Sequence, residues 1–139
     1  MTSGSWFHHT RRVGWTDVDP STNYQFTAAL RYVEEAEIAL LRDLGVLGRL
    51  YPHFPRTFVR AEFRSPARFD DEVTVAIRPG RVGRSSVEFA FEVRQGARLC
   101  AEGALGAALI GDDGRSAPLP DDVRAALIGA TEGAGHGAG

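Results

Sequence analysis

The sequence has no lysine: its sixteen basic residues are all arginines. A lysine Schiff base is excluded, and so is a phosphate loop built on a lysine. The arginine cations are planar forks suited to phosphate or carboxylate. Cysteine is nearly absent. Cys100 stands alone, which excludes an intramolecular disulfide and a multi-cysteine zinc site. Lying among small residues, it reads as a buried, inert thiol. No apolar run approaches the roughly 20 residues of a membrane span. Met1 to Thr10 lacks the apolar stretch of a signal peptide, so the expected location is the cytoplasm with no membrane partner. Acidic residues number 18 against those 16 bases, a net charge of -2. Nucleic-acid binders are usually strongly basic, so none is expected as a partner.

What remains is a chain of 139 residues, 43% hydrophobic and 24% charged. That suits one domain with a core of its own. We place this domain at residues 1–129. Residues 130–139, mostly glycine and alanine with one histidine, read as a disordered tail.

Hydrophobic periodicity supplies the elements. A strand is expected near residues 6–15. The turn formers Thr16-Asp17-Val18-Asp19-Pro20-Ser21-Thr22-Asn23 follow. From Ala28 to Leu44 there is no Gly or Pro, and Ala29, Tyr32, Val33, Ala36, Leu40, Leu41 and Leu44 recur at helical spacing. Glu34, Glu35 and Arg42 fall largely outside that stripe, and Gly45 is a natural stop. Strands are expected at 57–63, at 72–78 with Val73, Val75 and Ile77 on one face, at 87–94, and at 99–110. Pro79-Gly80 and Gly83 mark a connection. Pro118 and Pro120 precede a short helix, 121–128, whose Asp121 and Asp122 suit its positive end. One strand, a long helix and four strands joined by short turns make an α+β fold with an antiparallel sheet. One sheet face takes the helix. The other is expected to stay apolar unless covered, so assembly is expected through the sheet edge or the helix side.

The stretch Val13 to Gly45, V-G-W-T-D-V-D-P-S-T-N-Y-Q-F-T-A-A-L-R-Y-V-E-E-A-E-I-A-L-L-R-D-L-G, resembles the hotdog-fold thioesterases of the 4-hydroxybenzoyl-CoA type. The matching positions are Asp17, Asp19, Tyr32, Glu34, Glu35, Ala36, Leu41 and Gly45. Phe58 to Phe69 with Asp70-Asp71, and Arg81-Val82-Gly83-Arg84-Ser85-Ser86, are also similar, so the resemblance covers about 110 residues. The sequence departs from the family at Thr22, usually Gly, at Asn23, often His, Ile or Val, and at Ala29, where a tyrosine is common. These changes are consistent with a wider acyl pocket.

The resemblance implies a five-stranded antiparallel sheet wrapped around one long central helix, with a short C-terminal helix added. It implies hydrolysis of acyl-CoA or acyl-carrier-protein thioesters, with no bound cofactor and no metal, by a homodimer often paired into a homotetramer. Asp19 takes the position of the catalytic carboxylate, as general base or as nucleophile. The Phe26 amide takes that of the oxyanion donor, at a helix start where N–H groups lack internal partners. Asp17 orients the loop. Glu35 is the backup base, because a related branch uses a helix acid. Asn23 and Tyr24 are candidate substrate contacts. Arg84, Ser85 and Ser86 are candidates for carrier phosphates, with Arg60, Arg81 and Arg56 behind them. His8 and His9, adjacent in a strand, point to opposite faces and make a poor metal pair. A silent acyl- or carrier-binding module is the second reading. A dehydratase or hydratase ranks last, since those usually need a histidine base and none lies in residues 10–52.

Overall fold

The computed structural model describes residues 6–133. Five strands form one antiparallel sheet: β1 (Phe7–Arg12), β2 (Arg56–Phe63), β3 (Glu72–Val82), β4 (Ser86–Gln95) and β5 (Arg98–Ala108). Their spatial order is β1-β3-β4-β5-β2. The short links β3–β4 and β4–β5 are hairpins, as short connections demand. β2 returns beside β5, so β1 and β2 are the two edges. The long helix α1 (Phe26–Asp43) lies across the concave face, a single turn α2 (Leu47–Leu50) follows it, and α3 (Asp121–Gly133) packs near β3. This is the hotdog arrangement expected from the resemblance.

The core forms where the two periodicities meet. Val73, Val75 and Ile77 of β3 and Val87, Phe89, Phe91 and Val93 of β4 are buried against Ala28, Ala29, Tyr32, Val33, Ala36 and Leu40 of α1. The alanines let the helix approach the sheet closely. α1 ends as the sequence implies, with Gly45 at φ +77° and its N–H donating to the Arg42 carbonyl. On the same sheet face Gly103, directly across from Phe91 and Ala61, is obligatory, since a Cβ there would stand 1.9 Å from the Arg60 carbonyl oxygen.

Several boundaries differ from the sequence reading. β1 stops at Arg12, and Trp15–Asp17 forms a 3-10 turn because Asp17 folds back toward Gly14. β3 runs through Pro79-Gly80 to Val82, and a register shift between Pro79 and Val82 absorbs the proline. α3 continues past Gly129 to Gly133, held where the Thr131 hydroxyl donates to the Pro79 carbonyl. The tail expected to be disordered lies, from residue 134 on, outside the described residues. The outer sheet face is charged rather than apolar. Glu92 pairs with Glu102, and Glu102 with Glu62, in neighbouring strands. Arg64 bridges Glu62 and Glu102, and Arg94 meets Glu92. The exposed apolar residues sit elsewhere: Phe26, Val59 and Phe63 near the β2 edge, and Trp15 with Phe69 by the Asp19 loop.

Candidate functional site

The turn formers after β1 fold into a loop that ends at the start of α1. Asp17 and Asp19 share that loop in different surroundings. Asp17 is 5% exposed. Its Oδ2 accepts from the Tyr32 hydroxyl at 2.6 Å and from the Gly14 N–H at 3.2 Å, and its Oδ1 accepts from Arg31 at 2.6 Å. Arg11 stands 3.4 Å away and also stacks over the Tyr32 ring. Burial pushes the Asp17 carboxyl up, but the hydrogen bonds from Arg31, Tyr32 and Gly14 outweigh it, and the group ends below its ordinary range. The Tyr32 phenol is raised by burial and by the Asp17 carboxylate, which keeps its proton in place. The Asp17 carbonyl accepts from the Gln25 N–H at 2.8 Å, tying the loop to the residue before α1.

Asp19 is half-buried at a cleft of about 360 Å³, shared with Asn23, Tyr24, Phe26 and Phe63. Its Oδ1 accepts from the Ser21 hydroxyl at 2.6 Å, the Ser21 N–H at 2.8 Å and the Asn23 N–H at 3.3 Å. Those bonds, the Ser21 hydroxyl foremost, hold the carboxyl below its ordinary range, so it is ionised at neutral pH. Oδ2 takes no hydrogen bond among the described residues. The loop closes through Thr22 at φ +67°, a conformation that favours glycine. This accounts for the family's preference for Gly at that position.

The first amides of α1, Phe26 and Thr27, have no carbonyl one turn earlier, and no side chain caps them. No acidic residue stands in the first turn. The positive end of an 18-residue helix is thus unopposed by any first-turn carboxylate beside the Asp19 cleft. Asn23 Oδ1 and the Tyr24 hydroxyl are buried there without a hydrogen-bond partner. Burial raises the Tyr24 phenol to about 12, with Cys100 adding to the effect, so it remains a donor.

Asp19, Asn23, Tyr24 and Phe26 are therefore brought together as the sequence reading grouped them. The other candidates stand apart from the cleft within one chain. Glu35 lies on the β1 side of α1, where both of its oxygens accept from Arg11, at 2.8 and 3.0 Å. Through Arg11, which also reaches Asp17, it adjoins the buried aspartate and not the Asp19 cleft. Arg60 is on the outer sheet face over the Phe58 ring, because it alternates with Val59 along β2. Arg84, Ser85 and Ser86 form the β3–β4 hairpin, bonded through their carbonyls to Leu119, Leu109 and Gly83. That hairpin is at the far end of the sheet from the Asp19 loop, about 30 Å along β4.

Sequence reasoning missed Glu37. It is fully buried in α1, accepts from the Tyr51 hydroxyl at 2.6 Å and forms a double hydrogen bond with Arg56. Its signal was the spacing Val33, Glu37, Leu40, which sets a carboxylate on the apolar stripe. The Tyr32 hydroxyl was missed as well, because the ring was counted only as apolar.

Comparison with known proteins agrees with this architecture. Residues 13–127 match the model of the thioesterase-like superfamily. A 1,4-dihydroxy-2-naphthoyl-CoA hydrolase of Synechococcus sp. (strain CC9605) is 26% identical over 134 residues, covering 88% of this chain and 90% of that protein. Among solved structures, a thioesterase of Thermus thermophilus complexed with coenzyme A and zinc superposes with a TM-score of 0.83 at 24% identity, covering 94% of this chain and 97% of its own. A 1,4-dihydroxy-2-naphthoyl-CoA thioesterase from Synechocystis gives 0.78 at 21% identity, covering 88% and 96%. With its sheet, its central helix and 115 consecutive positions matched, the chain belongs to the thioesterase-like superfamily.

Proposed function

We propose that this protein hydrolyses acyl-CoA thioesters, with Asp19 as the working carboxylate. The observation that carries the reading is the pairing in one cleft of an ionised carboxylate, with one oxygen held and one unbonded, and an uncapped helix N-terminus. The relatives named as CoA hydrolases or bound to coenzyme A support the substrate class.

The thioester oxygen accepts from the Phe26 N–H, where the helix dipole favours the charge that develops. Asp19 takes a proton from water as that water adds to the carbonyl carbon. Collapse of the tetrahedral adduct breaks the C–S bond, and the proton returns to the departing thiolate. In the alternative route Asp19 attacks directly and water then hydrolyses the mixed anhydride. An ionised Asp19 serves either route. Asn23 Oδ1 supplies an acceptor for the attacking water or for an amide N–H of the carrier arm. Arg11 already holds Glu35, so no step needs it.

Assembly completes the site. β2 is an edge strand, and Val59 and Phe63 with the adjoining Phe26 are exposed beside it, a surface that chains normally cover. A second copy pairing along β2 covers them and gives a homodimer. Arg84, Ser85 and Ser86 reach a carrier phosphate only from another copy, since within one chain they lie at the far end of the sheet. This favours a further pairing into a tetramer. Arg60, on the outer face, contacts a carrier only across such an assembly.

The test is thiol release from short, long and aromatic acyl-CoAs. Turnover of at least one class supports the reading. No turnover of CoA or carrier-protein esters favours the silent binding module. A monomer in sedimentation at micromolar concentration would contradict the shared site.

A further inference from the structure

Two pockets lie in line along the seam between α1 and β2, and the Asp19 cleft is the first. Phe26 and Phe63 meet at the cleft, with ring centroids 6.0 Å apart. One turn further along α1, a second pocket of about 180 Å³ opens between Leu30 and Val33 of the helix and Val59 of β2, floored by Phe91 and Leu105. Its far end is ionic. Arg56 donates to both oxygens of the fully buried Glu37, to Glu34 at 3.0 Å and to the Tyr51 hydroxyl at 3.1 Å. The Arg56 guanidinium is shifted further upward by Glu37, despite its burial, so it never loses its charge.

Resting on the thioesterase reading, we propose that the Glu37–Arg56–Tyr51 cluster is the end wall of the acyl groove, and that it restricts the substrate to neutral acyl groups of medium length or aryl size. From Phe26 to Glu34 the helix advances about 12 Å. An extended chain advances about 1.2 Å per bond. An octanoyl tail, about 9 Å, ends on Leu30, Val33 and Val59, whereas a palmitoyl tail, about 19 Å, runs into the wall. The wall does not yield, because moving Arg56 would leave a buried carboxylate uncompensated. Arg31 also lines the pocket but is neutralised by Asp17, so Glu34 and Glu37 against Arg56 leave the wall one negative charge, which repels a terminal carboxylate on the acyl group.

The experiment is a turnover series with butyryl-, octanoyl-, palmitoyl- and suberyl-CoA. For the wild type, kcat/KM for octanoyl-CoA exceeds that for palmitoyl-CoA and for suberyl-CoA by at least about tenfold. Equality with either overturns the proposal. The double variant Glu37→Leu with Arg56→Leu replaces the ion pair by apolar groups, which folds tolerate far better than loss of one partner. Its palmitoyl-to-octanoyl ratio rises at least about tenfold. A folded double variant with the wild-type ratio overturns the proposal. Val59→Trp fills the groove without touching the cluster and, in protein that sediments as the wild type does, lowers the octanoyl-to-butyryl ratio; an unchanged ratio counts against the groove. Binding of octyl- and hexadecyl-CoA thioethers separates the two levels. A protein that hydrolyses nothing yet binds octyl-CoA and not hexadecyl-CoA refutes the hydrolase reading and keeps the groove. One that hydrolyses octanoyl-CoA but binds both thioethers equally keeps the enzyme and refutes the wall.

Discussion

Asp17 and Asp19 are two residues apart in one loop, yet the fold uses them in opposite ways. Around Asp17 converge Arg31, Tyr32, Gly14 and Arg11, from β1, the loop and α1. Its carboxylate is a fastener between elements, and a change there weakens contacts to all of them at once. Around Asp19 the partners are local, Ser21 and Asn23, and fall on one oxygen. An identical side chain is thus structural where distant elements meet on it and available for chemistry where only its own turn holds it. The same logic separates Glu37, locked by Arg56, from the surface-facing Glu34 that shares that arginine.

Mutations break this comparison in order of size. Asp19→Asn retains an acceptor for the Ser21 turn, so the urea midpoint stays put while kcat falls by about 10²–10⁴-fold, the usual worth of a lost base. Asp17→Asn does the reverse. It removes the anionic partner of Arg31 and weakens the Tyr32 bond, at a cost of about 2 kcal/mol in urea unfolding. Half of Arg31 is in solvent, so screening keeps this below the 3–5 kcal/mol of a fully buried pair.

pH sharpens the contrast. Asp17 has a folded pKa below its unfolded value, near 3.9, so its stabilisation is present above that value and is lost as pH falls through the depressed one. Acid unfolding of Asp17→Asn therefore has a shallower limb below about pH 4. Asp19 is lowered too, so as the base it loses activity only as pH falls below the ordinary carboxylate range.

Smaller effects follow. Thr22→Gly relieves the left-handed backbone at φ +67° and raises stability by about 1 kcal/mol in thermal or urea melts. Glu35→Gln weakens a half-exposed pair with Arg11, costs less than about 1 kcal/mol and leaves turnover within about twofold. A large loss of turnover there would return Glu35 to the chemistry.

The order of strands and helices was legible because each element carries one clean period, as in Val87, Phe89, Phe91 and Val93. Gly45 and the aspartate loop were legible because they are local. Features that depend on partners distant in sequence were not. Glu37 meets Arg56 only after β2 returns beside β5. Asp17 is buried only because α1 brings Arg31 and Tyr32 over it. Arg84 was grouped with the site, and strand order alone puts it at the far end of the sheet. The strand β3 crossed a proline that sequence patterning reads as a stop.

The most direct measurement sets thiol release beside urea unfolding for Asp17→Asn and Asp19→Asn, on an acyl-CoA that the wild type turns over. The account predicts that Asp19→Asn keeps its unfolding midpoint and loses turnover by two or more decades, while Asp17→Asn loses stability first. An Asp19→Asn protein with wild-type turnover, or an Asp17→Asn protein that loses turnover at unchanged stability, would contradict it.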